Sequence, residues 1–191
     1  MNYYGAKELA DSLRTVRKNT IIIAEDIPED RYGFRASLDT RTVAQVLVHI
    51  ALVPTMSRQI HAVERRHTLE GFDFPAFVQR MIAEEQTPRS KAHIIEMLRE
   101  DGEEFTKWLE GQSEDFLAET VQFPAGMTPP SKTRFEMLLG VKEHEMHHRA
   151  QLMLMERMLG IVPHLTKQMQ ERLAARMAGQ TTVSASSKQV S

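Results

Sequence analysis

The sequence predicts an all-α protein, and three observations predict it. Apolar residues recur at three- and four-residue spacing through four long segments. β-Branched residues rarely alternate with polar ones, so strand signals are weak. Clusters of Pro, Gly and polar residues separate the long segments, as loops between helices do. Four long helices within 191 residues point to a four-helix bundle forming one domain over 1–163.

The first helix is expected from Ala6 to Glu25, where Leu9, Leu13, Val16, Thr20 and Ile23 form one stripe. Pro28 and the segment EDRYGFRASLD end it. Asp39 and Thr40 offer N-caps for a second helix, Thr42 to Val63. That helix is apolar almost all round, which predicts a central position. Pro54 lies inside it and removes the hydrogen bond to the carbonyl of Ile50, so a kink or break is expected there. A polar stretch with Gly71 follows, and Phe74 to Ala83 reads as a short helix. Thr87 and Pro88 read as N-cap and first residue of a third long helix, reaching Leu109. Its buried side holds Ile94, Ile95, Leu98, Phe105 and Trp108.

The segment FPAGMTPPSK reads as a loop. Ser131 is placed to cap the fourth long helix, Thr133 to Leu159, with Gly160 as its stop. The connections between the second and third helices, and between the third and fourth, are long enough to predict crossovers. Beyond Pro163, residues 164–178 read as an amphipathic helix, with Leu165, Met169 and Leu173 spaced by four. It is expected to pack on the bundle or on a second subunit. Residues 179–191 have little apolar content and are expected to form a flexible tail.

Composition narrows the function. A 41% hydrophobic fraction supports a core, and the net charge of −2 with mixed signs does not favour nucleic acid as a partner. No apolar run approaches the roughly 20 residues of a membrane span, so no membrane association is expected. The N-terminal segment MNYYGAKELADSLRTVRKN has no apolar signal-peptide core, and the expectation is a cytoplasmic protein. The chain has no cysteine, which excludes disulfides, thiolate ligands and a cysteine nucleophile. Any thiol chemistry needs a thiol from outside the chain.

Eight histidines are present, three of them in the run HEMHH of the fourth helix. With Met137 as zero and about 100° per residue, His144 falls near about −20° and His148 near about +20°. Both lie on the stripe that holds Val141 and Met155. His147 falls near about −80°, at its edge, and Glu145 near about +80°. Two imidazoles at i and i+4 project together, the spacing by which a helix offers two nitrogens to one metal ion. Glu145 occupies the glutamate position of an HExxH motif, but its angle turns it from the pair, and it reads as a solvated residue. In the second helix, His49 shares a face with Val46, Val53, Met56 and Ile60. An imidazole on an apolar face is either hydrogen-bonded within the core or a ligand, and both readings stand for His49 at this stage. Gln45 and Gln151, by helical spacing, and His147 are the candidates to hold the rings from behind. His61, His67, His93 and His164 have no ligand spacing.

The segments VAQVLVHIA and HEMHHRAQLMLMERMLGIVP together resemble the DinB-like family, also called DinB/YfiT, which is distinct from the DNA polymerase of the same name. The second segment departs from the family pattern H-x-x-H-H-R-G-Q-L at Ala150, where glycine is common. The resemblance covers most of the chain up to Pro163. It implies a four-helix bundle whose triad, carried over to His49, His144 and His148, binds one divalent ion, nickel or zinc foremost. It also implies homodimers, a small-molecule substrate and, in members of known activity, transfer of low-molecular-weight thiols such as bacillithiol, mycothiol or glutathione. Metal-dependent hydrolysis and a non-catalytic metal-binding role in stress response are the alternatives it leaves open. No catalytic acid or base is assigned by sequence.

Overall fold

The structure, a computed structural model, describes residues 4–187, with side chains as far as residue 177. Helix α1 (Ala6–Asp26) buries the expected stripe and, beside it, Arg17. Turns, one of them a 3-10 turn at Glu29–Arg31, lead to α2 (Val43–Arg58). The start of α2 is a capping box: the Thr42 hydroxyl accepts from the Gln45 backbone N–H, and the Gln45 side chain accepts from the Thr42 N–H. Thr42 is therefore the cap, in place of Asp39 or Thr40. Pro54 stays inside α2, and the helix widens into a π-helical turn at Gln59–Val63. The expected break is thus a local widening beyond the proline.

Helix α3 (Phe74–Gln86) is longer than the sequence pattern suggested and buries Phe77, Met81 and Glu85 at four-residue spacing. Helix α4 (Lys91–Glu110) is capped by Ser90, while Thr87 closes α3. After the short α5 (Glu114–Ala118), strands β1 (Thr120–Gln122) and β2 (Ser131–Thr133) pair antiparallel, with Thr120 opposite Thr133. The Pro- and Gly-rich loop is the tip of this hairpin. Ser131 belongs to β2, and Thr133 caps α6 (Arg134–Met158) with Glu136 as the reciprocal partner. Gly160 follows at φ 79, the left-handed conformation that favours glycine at a helix end. Helix α7 (His164–Ser187) begins where the amphipathic segment was expected. Its bounds take in residues 179–187 of the segment read as a tail, and 188–191 lie outside the described residues.

The four long helices pack in a ring in the order α1, α4, α2, α6. Helices α1 and α2 therefore face each other across the diagonal, as do α4 and α6. The crossings fall at α1 to α2 and at α4 to α6. The long connection from α2 to α4 joins neighbours and lays α3 against α2. This differs from the expected pair of crossovers, because length alone does not say which helices a connection brings side by side.

Two apolar cores fill the bundle. One holds Ile23, Leu47, Ile50, Leu98 and Leu152, and the other Leu9, Leu13, Phe105, Leu109 and Leu138. Between them, at the middle of α1, α4 and α6, lies a polar layer. Glu145, read from sequence as solvated, is 2% exposed. Its carboxylate accepts from Arg17 Nε at 2.9 Å, Arg17 Nη2 at 2.9 Å and the Thr20 hydroxyl at 2.8 Å. Arg17 also donates from Nη1 to the Leu98 carbonyl at 2.7 Å and from Nη2 to the Ile50 carbonyl at 3.3 Å. That last acceptor is the one Pro54 leaves without its helical donor. Gly102 makes the room: a Cβ there would stand 2.9 Å from Arg17 Nη1.

The sequence angle misjudged Glu145 because the buried face of α6 is not centred on Met137. Arg134, Leu138, Val141, Glu145, His148, Leu152, Met155 and Glu156 are its buried residues, centred roughly 60° further round. The helix packs against both α1 and α2, so it is buried over a wide arc. Glu145 faces α1, and the histidines lie toward α2.

Candidate metal centre

The polar layer ends at the α2–α6 seam, where three imidazoles meet. His49 Nε2 lies 3.1 Å from His144 Nε2, and His148 Nε2 lies 3.2 Å from the same atom. One nitrogen from each ring lies within 4.8 Å of the other two. Among the described residues this is the group of three metal-ligating side chains that converges. His148 is buried, and His49 and His144 are half-buried at the edge of the core.

Each outer ring is held from behind. His49 Nδ1 donates to Glu85 Oε1 at 2.7 Å, and His148 Nδ1 donates to Gln151 Oε1 at 2.8 Å. The Gln151 amide nitrogen in turn meets His147 Nε2 at 3.1 Å, which agrees with that orientation of the amide. His147 thus reaches the group through Gln151 and through an edge-on contact of its ring with that of His148, centroids 5.0 Å apart. Gln45 does not reach His49: it closes the α2 capping box and donates to Gln86 Oε1 at 3.0 Å.

Glu85 is the residue sequence reasoning missed. It is 7% exposed, and its carboxylate also accepts from Arg41 Nε at 2.6 Å. Burial opposes its charge, but the hydrogen bonds from His49 and Arg41 outweigh burial and hold its pKa below the usual carboxylate value. A signal existed, since Phe77, Met81 and Glu85 continue one four-residue stripe. Ending the helix at Ala83 hid it.

In the neutral form, a ring whose Nδ1 donates, as in His49 and His148, presents a bare Nε2 lone pair to the centre. Burial foremost, and then the neighbouring imidazoles, push His144 down to about 4, and burial does the same for His148. Both rings are therefore neutral near pH 7. His144 Nδ1 is buried without a partner among the described residues. If its proton sits on Nδ1, three lone pairs face one another; if on Nε2, one proton serves two acceptors. A cation at the centre relieves either arrangement. Two nitrogens bound at about 2.1 Å to one ion stand roughly 3–3.4 Å apart, which the two measured separations match. The donor set fits a borderline divalent ion, since imidazole suits zinc, nickel, copper and iron alike.

The group borders a cleft of about 690 Å³. His148, Glu85 and Gln151 lie in one wall, and the α1–α2 loop with Arg35 and Arg41 forms another. The other histidines stand apart. His61 accepts from Arg134 at 3.0 Å, His164 contacts Asn19 at 3.1 Å, and His67 lies 3.9 Å from Glu119.

These features define a class: a crossed four-helix bundle that brings an i,i+4 histidine pair and a third histidine from a neighbouring helix to one point. The chain belongs to the DinB family, whose model matches residues 1–181. Among solved structures it is similar to YfiT from Bacillus subtilis, described as a probable metal-dependent hydrolase with an unusual four-helix bundle topology. That likeness has a TM-score of 0.66 at 16% identity, over 84% of this chain and 91% of that one. A DinB-like protein from Bacillus subtilis, YjoA, matches with a TM-score of 0.60 at 18% identity, over 80% of this chain and 92% of the other. A Streptococcus pneumoniae protein matches with a TM-score of 0.64 at 16% identity, over 82% and 93%. No curated protein matches the sequence significantly. No helix among the described residues is long and apolar enough to cross a membrane.

Proposed function

We propose that His49, His144 and His148 hold one divalent ion, nickel or zinc, and that the protein transfers a low-molecular-weight thiol to a small electrophilic substrate. The observation that carries the metal reading is the convergence of three imidazole nitrogens, with the far nitrogens of His49 and His148 held by Glu85 and Gln151. A divalent ion bound there supplies a Lewis acid that favours the deprotonated form of whatever thiol or water completes its shell.

The chain's own part is positioning. Glu85 fixes the tautomer and orientation of His49, and Gln151 does so for His148. Arg41, tied to Glu85, adds positive charge beside both rings of α6. The cleft gives a small molecule access along the His148 side.

Thiol transfer is favoured over hydrolysis by the state of the nearby carboxylates. Hydrolysis calls for a free acid or base to serve the leaving group. Glu85 is engaged by His49 and Arg41, and Glu145, at the HExxH position, is engaged by Arg17 and Thr20. Hydrolysis is kept as the second reading because of the likeness to YfiT.

The test is metal analysis of untagged protein, followed by turnover of a thiol and an electrophile by the loaded protein and by His49→Ala. Stoichiometric metal in the wild type, its loss in the variant and thiol consumption by the loaded protein alone support the reading. Absence of bound zinc or nickel at micromolar concentration overturns it. A homodimer, implied by the family resemblance, is part of the same proposal and is checked by light scattering.

A further inference from the structure

The cleft beside the triad is amphipathic, and its donors are unevenly engaged. Arg41 meets Glu85 through Nε and Nη2, at 2.6 and 3.3 Å, and its Nη1 has no hydrogen-bond partner among the described residues. Arg35 uses one nitrogen, Nη1, on the Leu38 carbonyl at 3.3 Å, which leaves Nε and Nη2 open. Of the acidic groups of the cleft, Glu85 is engaged as above, and Asp39 is exposed and accepts from the Ser37 hydroxyl at 2.6 Å through Oδ1. Opposite them the wall is apolar and uncovered, with Ile82 46% exposed and Leu154 56% exposed. Leu38, at the rim, is 92% exposed.

From these features the geometry points to a substrate class: a small amphipathic acid whose carboxylate lies at Arg35 and Arg41 and whose apolar part covers Ile82 and Leu154. Free guanidinium donors recognise a planar carboxylate by paired hydrogen bonds. Exposed aliphatic side chains on a concave wall gain by covering with alkyl or aryl surface. The cleft volume suits a molecule of that size. The inference rests on the proposed function only in calling this ligand the substrate; the binding itself needs no reaction.

The probe is octanoate, compared by calorimetry with octanol, octylamine and acetate, on zinc-loaded protein, on metal-free protein and on Arg35→Gln. The expected result is octanoate bound at least about tenfold more tightly than octanol, which is the effect of one charge-assisted hydrogen-bonded pair. Acetate, lacking the alkyl chain, should bind about tenfold or more weakly than octanoate. Arg35→Gln should weaken octanoate about two- to fivefold and leave octanol unchanged. Arg35 contacts no ligand residue, so the variant's zinc content should equal that of the wild type. Equal binding of octanoate and octanol overturns the inference, as does preference for octylamine. Octanoate binding that disappears without metal and ignores Arg35→Gln places the carboxylate on the ion and overturns it too. In each of those cases stoichiometric zinc leaves the metal reading standing. Arg35-dependent octanoate binding in a protein that takes up no zinc does the reverse.

Discussion

Replacing Glu85 tests the candidate metal centre from outside its ligand set. Glu85 touches no ligand nitrogen; it accepts the Nδ1 proton of His49 at 2.7 Å from a buried position. Its removal frees the ring to rotate and lowers the electron density that the carboxylate pushes toward Nε2. A charge-assisted hydrogen bond of this kind is worth about 1.5–3 kcal/mol. Outer partners of ligating histidines typically account for about 10–100-fold in metal affinity, or about 1.4–2.7 kcal/mol. The two scales agree, so Glu85→Ala should weaken zinc binding by about 10–100-fold. Glu85→Gln keeps an acceptor but loses the charge, and should fall near the tenfold end. The assay is competition with a chromophoric chelator at pH 7.5, with circular dichroism to verify the fold. Gln151→Ala should act similarly through His148, whereas Gln45→Ala, which touches only the α2 cap and Gln86, should leave affinity unchanged. A folded Glu85→Ala protein that binds zinc within twofold of wild type would refute both the role of Glu85 and the place of His49 in the triad.

Three further expectations concern the polar interior. Glu145→Ala leaves the Arg17 guanidinium buried without its counter-charge, and should cost about 3–5 kcal/mol, or a drop in Tm of roughly 6–20 °C for a chain of this size. The double variant Arg17→Met with Glu145→Leu should recover most of that in thermal melts, and a double variant as unstable as the single would show that the lost charge pairing is not the cause. Gly102→Ala pushes a methyl group against Arg17 and should destabilise by about 1–3 kcal/mol in urea unfolding; an unchanged midpoint would contradict the close approach. Glu156 is buried with both carboxylate oxygens unpartnered among the described residues, and burial, then Asp26, raises its pKa from 4.5 to about 7. Because the folded value lies above the unfolded one, its destabilising effect is absent below pH 4.5 and grows to full size above pH 7. Glu156→Gln should therefore be neutral near pH 4.5 and stabilising by about 2–3 kcal/mol at pH 8; equal gains at both values would refute the titration.

The bundle helices were legible because their stripes are long and regular, and the three histidines because each lies on such a stripe. What the sequence concealed depends on neighbours. Glu145 looks exposed on a wheel centred at Met137 and is buried because α6 is covered from two sides. Glu85 lies past the point where the apolar pattern of α3 seemed to stop, and only the approach of α2 gives it a role. The caps at Thr42 and Thr133 won over nearer-looking candidates because a Gln or Glu three residues on completes the reciprocal pair. The β1–β2 hairpin is too short for any periodic signal.

Pro54 has a consequence that reaches another helix. By withholding one N–H it leaves the Ile50 carbonyl, next in sequence to His49, open to a side chain arriving from α1. Positions 17, 54, 102 and 145 are thereby coupled, so that a change at one alters the fit of the others. Where a related protein carries alanine at the position of Pro54, the helix takes back its own carbonyl. The long cation, its acidic partner and the glycine that admits them then lose one of the reasons to be there, and an apolar layer can replace all four.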